Sequence, residues 1–194
     1  MINKRLNIVK NNFEELPNNI ESEQSVIGTI LVSNEIFDEI NTIVASSNFY
    51  DPMHQKIFSA IENLIFKGML ANPITLKNYF ENDKSLVELE GHEYLVKITK
   101  FSTSSRQTIE YAKIIYDMYV RRELIKISET TIDNALNKNI DLPGEKIIED
   151  SEKLLFDLAE RGSFSKSFIK FDTALNQTIE MASKAFKSDE GIVG

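Results

Sequence analysis

Apolar residues recur along most of this chain at intervals of three and four, the spacing that places them on one face of an α-helix. The seven glycines and four prolines are few, and they fall between these periodic segments, as residues that separate helices do. The sequence contains no internal repeat and no low-complexity tract. The pattern therefore predicts an all-α protein of about eight or nine helices.

The first hundred residues predict a tail followed by a globular helical head. Residues 1–16 are polar and lack a clear period, which indicates a flexible N-terminal tail. Residues 17–103 contain several short periodic segments and form the predicted head. We expect Asn18 to cap the first helix, with Glu21 three residues later completing a capping box.

A second helix start within the head is marked by Asp51 and Pro52. An acidic cap followed by proline at the first helical position is a common beginning of a helix. Gly68 is expected to end this helix. Its apolar stripe consists of Ile57, Phe58, Ile61, Leu64 and Ile65.

The second half of the chain predicts a long antiparallel αα-hairpin and a separate C-terminal helix. No glycine or proline occurs from Ser104 to Lys138, so we expect one helix of about thirty residues, ~45 Å long. A turn at Pro143 and Gly144 leads into a return helix. The predicted segments are the hairpin at 104–161, a linker at 162–171 rich in Ser and Lys, a linker helix at 172–188 and the start of a further connection at 189–194.

Composition and charge narrow the possible functions. The chain has 22 basic and 30 acidic residues, a formal net charge of −8, which opposes contact with a phosphate backbone. The densest basic site is the pair Arg121 and Arg122. The absence of cysteine excludes disulfides and thiolate metal sites. No apolar run approaches the ~20 residues of a membrane span, and no signal peptide is evident, so we expect a cytoplasmic protein without membrane contact.

Motifs that would indicate catalysis are absent from the sequence. No glycine pair has the spacing of a phosphate-binding loop followed by lysine. The two histidines, His54 and His92, have no metal-ligand spacing, and we interpret both as structural. The sequence thus predicts no catalytic, cofactor-binding or metal-binding residues.

Two apolar surfaces are larger than the head and the hairpin would bury by themselves. They therefore predict contacts with other proteins. The long hairpin helix is apolar on more than one face. Its candidate pairing residues are Ile109, Ala112, Ile115, Tyr116, Tyr119 and Val120. Replacing Ile115 and Tyr119 by aspartate is expected to dissociate the assembly and to preserve helix content. The C-terminal linker helix carries a second stripe, formed by Leu175, Ile179, Ala182 and Phe186.

Several segments together resemble one family, the bacterial hexameric replicative DNA helicases of the DnaB type. Residues 17–28 (PNNIESEQSVIG) resemble its opening pattern P-x-x-x-E-A-E-Q-x-x-L-G, with Ser22 and Ile27 as mild departures. Residues 48–58 (NFYDPMHQKIF) resemble its F-Y-x-P-x-H-x-x-I-F motif. Shorter resemblances are PITL at 73–76, GHEYL at 91–95, IEYA at 109–112, RRELI at 121–125, DLAER at 157–161 and GIVG at 191–194.

The resemblance implies a role in assembly. In such helicases the N-terminal domains pair through their hairpins into a trimer of dimers, up to a hexamer, and the resulting ring binds primase; a helicase loader is a further candidate partner. The linker helix packs on the motor domain of the neighbouring subunit. The resemblance also implies that ATP and Mg²⁺ bind in an ATPase domain beyond this chain, so we expect the chain alone to contain no cofactor, to be inactive as an enzyme and to bind DNA weakly at most.

Two other interpretations stay open from the residues alone. A helical nucleic-acid-binding regulatory domain could share these short motifs, but it would need a basic recognition face. A small all-α enzyme would need a convergent set of ionisable groups.

Overall fold

The computed structural model describes residues 15–80, 91–137 and 142–160. Within these ranges every regular element is helical. The α-helices, numbered here in chain order, are α1 (Ile20–Val32), α2 (Phe37–Asn41), α3 (Pro52–Phe66), α4 (Pro73–Phe80), α5 (Gly91–Thr99), α6 (Ser105–Leu136) and α7 (144–160). Short 3-10 turns at Asn34–Ile36 and Ser46–Asn48 complete the head. The predicted all-α class is confirmed, and none of the described helices is long and apolar enough to cross a membrane.

Local capping explains most of the helix starts. Asp51 accepts a hydrogen bond from the Met53 N–H at 2.7 Å, with Pro52 at the first helical position, as the sequence predicts. The cap of α1 is Asn19, whose side chain accepts from the Ser22 N–H at 2.9 Å. The predicted cap Asn18 is therefore wrong by one residue, because the Asn18 amide donates instead to the carbonyl of Leu16.

The core of the head is built by α1, α3, α5 and the first part of α6 around three phenylalanines. The rings of Phe37 and Phe58 lie 5.9 Å apart, and those of Phe49 and Phe58 lie 4.9 Å apart. Such tilted aromatic contacts add to the free energy gained by burying the rings. All three side chains are almost completely buried, and they tie the segment between α1 and α3 to the middle of the head.

Gly28 allows α1 and α5 to approach at backbone distance. A Cβ atom built on Gly28 would lie 2.3 Å from the carbonyl oxygen of Ile98 and 3.4 Å from the amide nitrogen of Ser102. Any other residue at this position would therefore collide with the backbone of the opposite segment.

Two compact units divide the chain, Met1–Ser128 and Glu129–Gly194. This differs from the predicted division, which ends the head at residue 103. The physical reason is that Ala112 and Ile115 of α6 are buried members of the head core, so the first three quarters of the long helix belong to the head.

The second unit, by itself, contains the end of α6 and the helix α7. The Thr131 and Ser151 hydroxyl oxygens lie 2.9 Å apart and link the two helices. On α7 the Lys146 ammonium pairs with Glu149 at 3.1 Å and Asp150 at 3.2 Å, both exposed. The complete hairpin at 104–161 stays a prediction.

Several predicted segments lie outside the described residues. They are most of the N-terminal tail (1–14), the linker at 162–171, the linker helix at 172–188 with Leu175, Ile179, Ala182 and Phe186, and the segment 189–194.

Candidate functional site

A buried polar chain crosses the head and joins α1, α3 and α5. His54 of α3 is completely buried. Its Nδ1 atom lies 2.6 Å from a carboxylate oxygen of Glu23 on α1, and its Nε2 atom lies 2.6 Å from the Tyr94 hydroxyl on α5. The His54 and Tyr94 rings also stack, with centroids 6.1 Å apart. We call these three side chains the buried relay.

The hydrogen-bond partners fix which atoms donate. The Glu23 carboxylate also accepts the N–H groups of Tyr50 and Asp51, so it faces donors and the Nδ1–H of His54 must be one of them. With the proton on Nδ1 alone, the Nε2 atom accepts from the Tyr94 hydroxyl. Burial raises the pKa of Tyr94 above its ordinary value, which keeps that hydroxyl protonated and able to donate.

This geometry fits a structural role better than catalysis. Each polar atom of the buried relay is occupied by another atom of the protein, and His54 has no exposed surface on which a substrate could be bound. A general base must reach a substrate proton directly or through one water. Across the ranges that the structure describes, no group of three or more His, Cys, Asp or Glu residues is placed to hold a metal. The expected structural role of His54 agrees with this arrangement; the side chain of His92 lies outside the description.

Arg122 of α6 forms a second anchor in the head. Its guanidinium donates to the carbonyl of Pro17 at 2.8 Å and to that of Asn48 at 2.6 Å, and it lies 5.5 Å from the centre of the Tyr50 ring. Burial lowers the pKa of Arg122 below its ordinary value, and the charge of Glu23 opposes that shift. The guanidinium thus ties α6 to the segments before α1 and α3.

Replacing Arg122 by lysine is expected to lower the free energy of unfolding by about 1–2 kcal/mol, because an ammonium cannot reproduce the forked contact with two carbonyls. Urea denaturation followed by circular dichroism measures the change. The matched control is Arg121→Lys, since Arg121 pairs with the exposed Asp117 on the same helix, a contact worth about 0.5 kcal/mol or less. Equal effects of the two substitutions would contradict the anchoring role.

Most of the predicted pairing residues are buried in the head core or packed against it. Ala112 and Ile115 are buried in the head core, and Tyr119 is 9% exposed. Ile109 and Tyr116 are partly buried and pack against the same core; Val120 is partly buried. Their part in pairing is untested and stays a prediction. Because Ile115 is a core residue, aspartate at this position is expected to unfold the head, so the substitution proposed from the sequence would not isolate an interface.

Exposed apolar side chains cluster instead on α7. Four large ones are between 42% and 61% exposed: Ile148, Leu154, Leu155 and Phe156. Ile148, Leu155 and Phe156 follow the i, i+7, i+8 spacing of one helix face. The sequence shows the apolar periodicity of this helix. It does not show which face of the helix stays exposed to solvent.

Comparison with characterised sequences gives the family. Residues 15–117, more than half of the chain, match the family described as DnaB-like helicase N terminal domain. This chain belongs to that family. The match includes all three members of the buried relay, Pro17 and the segment up to Asp117.

Relatives of the DnaB-like family agree with this assignment. The replicative DNA helicase DnaB of Rickettsia typhi is 36% identical over 199 residues, which cover 100% of this chain and 40% of that protein. The Pasteurella multocida protein of the same name is 31% identical over an alignment that covers 77% of this chain and 32% of that protein. The chain therefore spans about 40% or less of the length of these relatives.

A solved structure shows the same fold. The crystal structure of the N-terminal domain of DnaB helicase from Mycobacterium tuberculosis superposes with a TM-score of 0.68 at 20% identity, covering 74% of this chain and 99% of that one. At this identity the likeness concerns the fold alone.

The DnaB-like motifs seen in the sequence now have physical roles. Glu23 comes from the opening motif, His54 from the second motif and Tyr94 from the segment GHEYL, and all three meet in the buried relay. Gly28, which closes the opening motif, faces the α5 backbone. The role of these motif residues is therefore to stabilise the fold of the head.

Proposed function

We propose that this chain is the assembly region of a replicative DNA helicase, without catalysis of its own, and that copies of it pair through α7. The observation that carries the pairing is the uncovered apolar face of α7, formed by Ile148, Leu155 and Phe156. Burying large apolar side chains between two copies would contribute about 1.5–3 kcal/mol for each. Family membership and the names of its relatives support the helicase context.

The wider assembly is part of the same proposal. Pairs would build up to a hexamer as a trimer of dimers, the assembled ring would dock primase, and a helicase loader would be a further partner. ATP and Mg²⁺ would bind a motor domain of the whole protein, which would act in the cytoplasm.

A nucleic-acid-binding regulatory domain is less favoured as a function. Arg121, half of the basic pair noted in the sequence, is ion-paired with Asp117. Arg122, the other half, is occupied by two backbone carbonyls. This pair therefore offers little free positive charge for a phosphate backbone.

The double substitution Ile148→Asp and Leu155→Asp is expected to shift the chain toward monomer, because two carboxylates would be buried at the pairing surface. Light scattering over a range of concentrations measures the mass. Both positions are exposed, so circular dichroism and thermal midpoint should stay near those of the parent chain. The matched control is Val96→Asp, an exposed apolar position on α5, which should leave the mass unchanged. A monomeric parent chain at high concentration, or an unaffected double variant, would contradict pairing through α7.

A further inference from the structure

The second unit of the chain has a small apolar interior. Its described residues, 129–137 and 142–160, comprise the end of α6 and the helix α7, and we call them the distal helix pair. Within the distal helix pair one apolar side chain, Leu158, is buried, at 8% exposure. The other buried apolar side chains that the structure describes all lie between Val26 and Ile127. Because apolar burial is the dominant favourable contribution to folding, far less stabilises the distal helix pair than stabilises the head.

Charge and length give the distal helix pair little further stability. The hydroxyl oxygens of Thr131 and Ser151 link the two helices at 2.9 Å, and a hydrogen bond of this kind contributes about 1 kcal/mol. Residues 144–160 contain six acidic and two basic residues, so like charges repel one another along α7. With 17 residues, α7 is little longer than the ~12–15 residues below which an isolated helix is marginal in water. We therefore expect the distal helix pair to be the less stable unit.

The helix α6 contains weak helix formers where the first unit ends. Ser128 is the last residue of that unit, and its hydroxyl donates to the Leu124 carbonyl at 2.7 Å, a bond that slightly destabilises a helix. Residues 130–132 are Thr, Thr and Ile, and β-branched residues have a lower helix propensity than unbranched ones. Unfolding of α6 from its C-terminal end can therefore stop here, before it reaches Arg122, which is anchored in the head.

We propose that the distal helix pair unfolds and refolds by itself while the head stays folded. Local opening of this kind occurs where few apolar contacts are buried. When α7 unfolds, Ile148, Leu155 and Phe156 no longer share a helix face, so their common surface exists only in the folded form. The apparent affinity of pairing is then reduced in proportion to the folded fraction. This consequence rests on the proposed pairing through α7, whereas the opening itself does not.

Hydrogen exchange of the whole chain, followed by mass spectrometry at low protein concentration, tests the proposal. Backbone amides exchange through local opening in a weakly stabilised segment and through global unfolding in a strongly stabilised one. The amides of α7 should therefore be protected roughly a hundredfold less than those of α1 and α3. Equal protection of the three helices in the dilute chain would overturn the proposal.

Two variants, one in each unit, show whether the units open separately. Gly144→Ala raises the helix propensity of α7 and should increase the protection of α7 by up to about fivefold, with α1 and α3 unchanged. Glu23→Gln weakens the buried relay and should lower the protection of α1 and α3, with α7 unchanged. Equal changes in all three helices, from either variant, would mean that the chain opens as one cooperative unit, which overturns the proposal.

Raising the protein concentration separates local opening from pairing. If copies pair through α7, exchange in α7 should slow as the concentration rises, because pairing binds the folded form alone. Exchange in the head should stay the same. A chain that remains monomeric, with α7 poorly protected at every concentration, would contradict pairing and support independent opening. A chain that pairs through α7, but whose α7 is as well protected as the head when dilute, would overturn independent opening alone.

Discussion

Replacing Glu23 by alanine is expected to lower the free energy of unfolding of the head by about 3–5 kcal/mol, because three N–H donors share this carboxylate as their acceptor and would be left without it. The Nδ1–H of His54 and the N–H groups of Tyr50 and Asp51 all lose their acceptor in the interior. Each buried donor left without a partner costs about 1–3 kcal/mol. Urea denaturation measures the loss as a shift of the midpoint at constant slope.

Two companion substitutions separate this effect from a general loss of charge. Glu21, also on α1, is exposed, so Glu21→Ala should change stability by no more than about 1 kcal/mol, the range of a helix-terminus charge effect. Glu23→Gln keeps one acceptor oxygen and should fall between the two. If Glu23→Ala proved as mild as Glu21→Ala, the buried relay would not be a principal support of the head.

Replacing Gly28 by alanine is expected to destabilise the head by about 2–3 kcal/mol, the range for inserting atoms into a well-packed interior. The added methyl group would meet the carbonyl oxygen of Ile98 at 2.3 Å. Backbone atoms cannot rotate away as a side chain can, so α1 and α5 would have to separate. That separation would also lengthen the contacts between Glu23, His54 and Tyr94.

Gly144 supplies the matched control within the same chain. Among the residues that the structure describes, no atom outside the adjoining backbone lies within 4 Å of a Cβ built on Gly144. Gly144→Ala should therefore be neutral or stabilise α7 by up to about 1 kcal/mol through its higher helix propensity. Thermal and urea unfolding of the two variants, side by side, provide the measurement. A Gly28→Ala variant as stable as Gly144→Ala would mean that α1 and α5 are not held at backbone contact.

Local chemistry was the predictable part of this fold. Asp51 and Pro52 specify a helix start through a side-chain cap and a fixed φ, and the structure begins α3 at Pro52. The capping prediction at Asn18 was wrong because two adjacent asparagines can both cap, and the turn before α1 directs the Asn18 amide to the Leu16 carbonyl while Asn19 caps the helix. Neighbouring residues therefore determined helix starts to within one position.

Long-range relations were not predictable from the same pattern. Glu23, His54 and Tyr94 lie in motifs separated by 31 and 40 residues, and no spacing rule places them together. The many apolar residues of α6 predict that its faces are buried. They do not predict which part of the protein packs against each face. Ile115 proved to be covered by the head itself, whereas Ile148 and Phe156 of α7, less prominent in the sequence, are left exposed.

The buried relay also constrains how such a sequence can change over time. Each member satisfies the hydrogen-bonding needs of another, so a substitution at one position alone leaves an orphaned polar atom in the interior. A lineage could replace the set with apolar residues of similar volume at little cost, but only by passing through less stable single mutants. We therefore expect Glu23, His54 and Tyr94 to be replaced together rather than one at a time, although they lie in three short and distant stretches of the sequence.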